Sequence, residues 1–331
     1  MDVVPWIGFE TTYGQDILWQ YYIADPVNTA TGNYAYERTD LSIPTRSLPL
    51  DFTRSYNSAN PQDGRLGWGW SHSYLVYVTE DITDGSATVR FGDGHEERYT
   101  WNGTAYEAPP GTFSRLEKIA GLFRLTFKDQ TIYNFDSLGR LYTIADRNGN
   151  LTSLTYTGTL LAMVSAPDGR DLIFSYNAEG RLTQVNDPLG RTIRLNYSTA
   201  GDLTSVVDVS NATTTYTYDS NHRLLTATDA NSHSFVQNTY NSDGRVIEQR
   251  DAANNLTRFF YDIANQRTTV TDPLGHATIY QYDTGLRLLS VTDALSHPES
   301  YTYDADNNRT SLTDRNGNTT SYTYDGYGNM L

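Results

Sequence analysis

The sequence predicts an all-β chain. Tandem β-hairpins join into one long antiparallel strip that spirals into part of a hollow shell, and a β-rich N-terminal cap precedes it. Three observations predict this. A phrase of the form Tyr-x-Tyr-Asp recurs about every 21 residues through the second half of the chain, as in "TTTYTYDSNHRLLTATDANSH" from Thr213 and "PESYTYDADNNRTSLTDRNGN" from Pro298. Inside each copy, bulky residues alternate with Thr, Ser or Gln, the period of a strand. Between the bulky runs lie stretches rich in Gly, Asn and Asp, the residues of tight turns.

The leading region is told apart by tryptophan. Trp6, Trp19, Trp68, Trp70 and Trp101 all precede residue 102, and the periodic phrase begins only after about Phe123. The Pro/Gly break "APPGT" (Ala108 to Thr112) marks the boundary.

In the repeat region, the aromatic before the turn gives the anchors Phe135, Tyr156, Tyr176, Tyr197, Tyr218, Tyr240, Tyr261, Tyr282, Tyr303 and Tyr324. Two residues earlier stand Tyr133, Leu154, Phe174, Leu195, Tyr216, Phe259, Tyr280, Tyr301 and Tyr322, with Asn238 the one polar exception. A spacing of two puts both side chains on one face of a strand; a helix would separate them by roughly 200°. A turn such as "NAEGR" or "NSDGR" follows, then a second strand such as "RLLSVTD" (Arg287 to Asp293). There Leu288 and Val291 are three apart, which predicts one residue on each face or a bulge. A second turn closes the repeat, "DPLG" at Asp187 and Asp272 and "DRNGN" at Asp146 and Asp314. Pro after Asp presets the first corner of a type I turn, and the Asp carboxylate caps amides inside it.

Some twenty strands, each twisted by about 20° against its neighbour and about 4.8 Å away, cannot stay flat. One face carries aromatics that need burial, the other Thr, Ser and Asn, and a spiralling sheet around an enclosed space satisfies both. The last repeat stops at Leu331, one residue into its second strand, which predicts an unpaired edge and a longer polypeptide.

Composition narrows the function. The 331 residues are 19% charged and 13% aromatic, with 26 Tyr against 11 Phe, so tyrosine carries much of the packing. There is no cysteine, hence no disulfide and no thiolate metal site. A net charge of −15 argues against nucleic-acid backbones and anionic membranes as partners. No apolar run reaches the roughly eighteen residues of a membrane helix. The opening "MDVVPWIGFETTYGQ" has neither the basic leader nor the apolar core of a secretory signal peptide.

Equivalent slots in different repeats act as internal controls on candidate sites. His233, His276 and His297 occupy a slot that elsewhere holds Arg170, Arg191, Asn150 and Asn318, a freedom no metal ligand would tolerate. His222 fills the turn slot of Gly180 and Gly244. Asp187, Asp208, Asp229, Asp251, Asp272, Asp293 and Asp314 form a ladder, with Ala166 in one equivalent slot. Successive hairpins would set these carboxylates roughly 10 Å apart, too far to share a calcium held at about 2.4 Å, so turn capping is the better reading. The tyrosine row is read as packing rather than as a sugar-stacking surface. In the leading region, "LGWGWSHSY" and "FGDGHEERY" offer His72, His95, Glu96 and Glu97, without the helical spacing of a zinc site. No nucleophile elbow, phosphate loop or dinucleotide fingerprint is present. The expectation is no catalytic residue, no metal and no cofactor.

These residues carry a resemblance to the Rhs/YD-repeat superfamily. "YTYDSNHRLLTATDANSH", "YDTGLRLLSVTDALSH" and "YNAEGRLTQVNDPLGR" are similar to the tyrosine-aspartate repeat with its G-R-L and T-D-P-L-G followers. Upstream, "DPVNTATGNYAYERTDLSIPTRSLPLDFTRSYNS" (Asp25 to Ser58), "GWGWSHSY" and "FGDGHEERY" resemble the domain that precedes such repeats. The resemblance implies an N-terminal extension over 1–24, a leader or cap domain over 25–110, and about ten YD repeats over 111–331, the last truncated. It further implies a hollow, non-catalytic shell that holds a C-terminal toxin or core domain of the same longer polypeptide. Secretion-system components would be possible partners, and the location secreted or cell-surface. The family's self-cleaving core segment and toxin tip are not in this sequence, so neither activity carries over. The rival reading is a surface or cell-wall module that binds glycan through its aromatic rows.

Overall fold

The computed structural model describes residues 22–24, 26–60 and 62–331. Trp6, Trp19 and nearly all of the expected N-terminal extension lie outside them. Apart from one 3-10 turn at Ile263–Asn265, every regular element among the described residues is a β-strand. An antiparallel sheet of 21 strands runs from Arg115–Ile119 to Thr319–Ser321, each strand paired only with its neighbours in sequence. Ahead of it lie a three-stranded sheet (Ala35–Ile43, Leu50–Asn57, Trp70–His72) and a four-stranded one (Tyr77–Glu80, Ala87–Arg90, Glu96–Trp101, Tyr106–Glu107).

The alternation in the sequence becomes a two-faced strip. In Thr213–Tyr218, Thr214 and Tyr216 are buried while Thr215 and Thr217 are exposed. In Asp171–Tyr176, Leu172 and Phe174 are buried while Ile173 and Ser175 are exposed. Polar side chains bond across strands on the open face, with Thr217 Oγ1 2.7 Å from Thr226 Oγ1 and Asn196 Nδ2 2.9 Å from Ser205 Oγ.

The second strand of the hairpin takes the bulge. Tyr282 faces Leu288 while Gln281 faces Ser290, so Leu289 is the extra residue and both Leu288 and Val291 turn inward. The same shift recurs opposite Phe135, Tyr176, Tyr197, Tyr218, Tyr240 and Tyr303. A bulge tightens the local right-handed twist, so repeating it at one slot twists the strip regularly. Tyr261 departs from the pattern: it faces Thr268 without a shift, and the 3-10 turn makes that connection instead.

Two compact units divide the described residues, and each combines leader with repeats. The first holds Glu37–Tyr56 and the described part of Asn60–Thr214. Its leader rings cover the strip's aromatic face: Phe52, His72 and Tyr74 lie 6.0, 6.0 and 6.2 Å from Phe174. Leader carbonyls also accept from the residue that faces the anchor in two hairpins, Leu141 N–H to Val76 O at 3.1 Å and Leu182 N–H to Arg65 O at 2.8 Å. A buried bidentate pair, Arg54 with Asp40, stands beneath Trp70. The second unit holds the described part of 22–36, Asn57–Ala59 and Thr215–Leu331. It repeats the device, with Val246 N–H to Gly32 O at 2.9 Å, Thr268 Oγ1 to Thr29 O at 2.5 Å, and Tyr36 packed on Tyr216 and Phe235.

Candidate functional site

Three of the described hairpins are latched to the next by an Asp, an Arg and a Tyr at fixed offsets. Asp219 follows its anchor tyrosine, and its Oδ1 accepts the N–H groups of Asn221 and Arg223, both at 2.9 Å. Its Oδ2 accepts Arg223 Nε at 2.7 Å. The guanidinium so oriented lies 4.9 Å over the ring of Tyr240, the next anchor, and donates to Asn241 O at 3.0 Å. Tyr240 completes the latch by donating its hydroxyl to Leu224 O at 2.9 Å. Asp136, Arg140 and Tyr156 reproduce it, with 2.8 Å for the carboxylate, 4.3 Å over the ring and 2.7 Å from the hydroxyl to Leu141 O. So do Asp283, Arg287 and Tyr303, at 2.7, 5.4 and 2.8 Å.

The departures are informative. Where Asn177 and Asn241 replace the aspartate, the arginine is bound by the leader of its own unit. Arg181 forms two bonds of 2.6 and 2.8 Å with Asp63, and Arg245 donates to Thr31 O at 2.7 Å. Both still cover the next anchor, Tyr197 at 5.6 Å and Tyr261 at 5.5 Å. Those hydroxyls reach Leu182 O at 2.5 Å and Val246 O at 2.6 Å. An Asp keeps the arginine within the strip; an Asn leaves it for the leader.

Protonation follows the geometry. Partial burial works to raise the Asp219 carboxyl, and the bonds from Arg223 and Asn221 outweigh it, holding the group below the usual carboxylate range. Burial pushes the phenols of Tyr176 and Tyr303 up to about 12 against neighbouring arginines, and Tyr156, Tyr197 and Tyr261 higher still. These five phenols are neutral donors at any physiological pH.

The remaining sequence-singled residues take the following places. Tyr176 bonds Leu161 and Tyr324 bonds Arg309 O. Tyr216 is 3% exposed and Tyr218 half-buried. Tyr282 shares a short hydroxyl contact with Thr29. Asp187 Oδ1 accepts Leu189 N–H at 2.9 Å and Arg191 N–H at 2.8 Å, closing the second turn. Asp208, Asp229, Asp251, Asp272, Asp293 and Asp314 accept the amides two and four residues on in the same way. His276 Nδ1 lies 3.0 Å from Asp272 Oδ2, the place that the amide of Asn318 takes at Asp314; His233 and His297 lie at 3.5 and 3.6 Å from their own aspartates. His222 has φ +63°, matching its glycine slot. Among the described residues, no group of three or more His, Asp or Glu could hold a metal.

In the leader, His72 is fully buried between Phe52 and Phe174, and desolvation pushes it down to about 3, so it stays neutral. His95 stacks on Phe91 at 4.2 Å, with Asp93 at 2.6 Å and Glu97 at 3.8 Å. Glu96 pairs with Arg90 at 3.0 Å. Sequence reading missed the latch arginine, although Arg five residues past an anchor and Tyr sixteen or seventeen past that Arg recur at regular spacing.

Comparison with known proteins matches this arrangement. Residues 24–99 fit the model of a domain of unknown function, DUF6531. Residues 157–192, 197–234, 240–277, 282–319 and 303–331 fit the RHS Repeat. The tRNA nuclease WapA of Bacillus subtilis (strain 168) is 37% identical over 134 residues, 39% of this chain and 6% of that protein. The probable deoxyribonuclease RhsB of Dickeya dadantii (strain 3937) is 24% identical over 293 residues, 78% of this chain and 20% of that protein. This chain therefore spans a fifth or less of the length of either relative. The crystal structure of TcdB2-TccC3 without its hypervariable C-terminal region aligns at a TM-score of 0.42 and 10% identity, over 90% of this chain and 20% of that one. With the RHS Repeat matched copy after copy behind its leader, this chain belongs to the Rhs/YD-repeat superfamily.

Proposed function

We propose that this chain is a non-catalytic wall segment of a secreted or cell-surface Rhs protein, forming part of a shell that encloses and delivers a C-terminal toxin domain outside these residues. The observation that carries the reading is the latch. Where Asp, Arg and Tyr stand at the latch offsets, they bond the turn they sit in or the hairpin beside them, as in Asp219, Arg223 and Tyr240. Side chains that a binding or catalytic surface would present are engaged in holding the strip together. The same geometry weighs against glycan stacking on the anchor row, since an arginine covers a ring face and the hydroxyl is already bonded. Relatives named as nucleases fit this reading if their chemistry resides beyond the part this chain spans. Secretion machinery would then be the other partner.

The test is limited proteolysis of the full reading frame that contains this chain. The segment downstream of the repeats should resist protease in the intact protein and become cleavable when Arg223→Ala and Arg287→Ala open two latches. Equal cleavage in both would sink the enclosing role.

A further inference from the structure

One hairpin of the second unit breaks a rule that the rest of the strip keeps. The residue facing the anchor across the hairpin is apolar at Leu141, Leu182, Leu203, Leu224 and Leu288. Opposite Tyr303 it is Arg309, and no other described repeat places a charge in that slot. The guanidinium lies against two rings, with Cζ 5.7 Å from the centre of Tyr301 and 5.4 Å from that of Tyr322. Latch arginines give an Nη to a carbonyl, as Arg223 does to Asn241 O at 3.0 Å. The Arg309 side chain makes no hydrogen bond among the described residues: its Nε is buried and unbonded, and its two Nη groups keep accessible surface. No carboxylate of the described residues lies within 4.0 Å of it. Glu299, on the same strand face as Tyr301, accepts the Tyr301 hydroxyl instead, and Asp304 closes its own turn on Asn308 Nδ2 at 3.0 Å. An unpaired guanidinium on a face that other repeats fill with leucine is costly, and the two rings fix its orientation for a partner.

We propose that Arg309 is a docking point for an Asp or Glu side chain of the domain that the wall encloses, an inference that rests on the wall reading above. The occupant is a polypeptide because this face of the strip already packs against one. In the same unit, leader residues Gly32, Thr29 and Tyr36 lie on Val246, Thr268 and Tyr216. The occupant's contact is acidic because the free Nη pair of a planar guanidinium matches the two oxygens of one carboxylate. Tyr301 and Tyr322 offer ring surface to the residues on either side of that acid. A leucine in this slot would pack the strip at least as well, so the arginine answers to something outside the repeat.

The test places the photoreactive residue p-benzoylphenylalanine at Tyr322 in the full reading frame that contains this chain, with Arg309 intact or replaced in Arg309→Leu and Arg309→Gln. Irradiation should join it to a peptide downstream of the repeats that contains Asp or Glu. Both substitutions should cut the yield at least about tenfold. The melting temperature should stay level or rise in Arg309→Leu, which restores the side chain of the equivalent slots. Should that variant fail to fold, Arg309→Gln decides. A crosslink confined to residues 1–331, a joined peptide without an acid, or an unchanged yield in the folded variants would overturn the docking point. Protease protection of the downstream segment is read on the same samples. Protection without the crosslink keeps the wall and removes only the docking point, whereas a parent protein without protection removes both.

Discussion

His95 shows how far surroundings move a single residue. Burial alone would push its imidazole down, yet the bonds to Asp93 and Glu97 outweigh that and carry it up to about 9 from an ordinary 6.5. Burial and the Asp93 charge also raise Glu37 nearby. A group whose folded-state pKa is raised contributes its full stabilisation below the unfolded value and loses it as pH rises through the folded one. Thermal stability should therefore fall between pH 6.5 and 9, and His95→Gln should flatten that part of the profile. Melting curves across this range check it, with the His95 ring signal by NMR still protonated at neutral pH. A wild-type profile no steeper than the variant's would remove the argument. The sequence showed a His among acids and nothing more; its charge state depends on which carboxylates the fold brings within reach.

Among elements, the turn between strands is the unit the sequence describes best. Gly139 and Gly149 occupy matching slots at φ +77° and +82°, where a side chain is strained by the backbone alone. Their surroundings differ. A Cβ on Gly139 would stand 2.1 Å from Val78 O, whereas one on Gly149 would meet nothing within 4 Å. Gly149→Ala should cost about 1 kcal/mol, from φ alone, and Gly139→Ala at least about 2–3 kcal/mol because a leader backbone must also move. Urea unfolding of the two variants compares them, and equal costs would mean that leader contact is loose. The bulge belongs to this scale as well. The spacing of Leu288 and Val291 admitted it or a residue on each face, and pairing opposite Tyr282 decided between them.

For the whole molecule, the leader closes the aromatic face of the strip within each unit. Phe174, 6% exposed, receives three leader rings, so Phe174→Ala removes contacts on both the leader and the strip at once. The expected loss is about 3–5 kcal/mol, read from chemical denaturation. A loss below about 1 kcal/mol would show that the leader merely lies against the repeats. Leader docking is also where sequence reading stopped short, since the stretch before residue 110 has no period to follow.

The sequence by itself determined the hairpin, its period of about 21 residues, the two faces of the strip and the residues of both turns. All of these are local: strand alternation, turn chemistry and nearest-neighbour pairing act over a few residues and repeat visibly. Tertiary structure alone decided which arginines latch to the next hairpin and which to the leader, and which repeat abandons the bulge. It also set the charge on His95. Arg181 meets Asp63 across 118 residues and Thr268 meets Thr29 across 239. Contacts that distant occur once each, so no spacing in the chain announces them, and only the folded backbone brings the partners together.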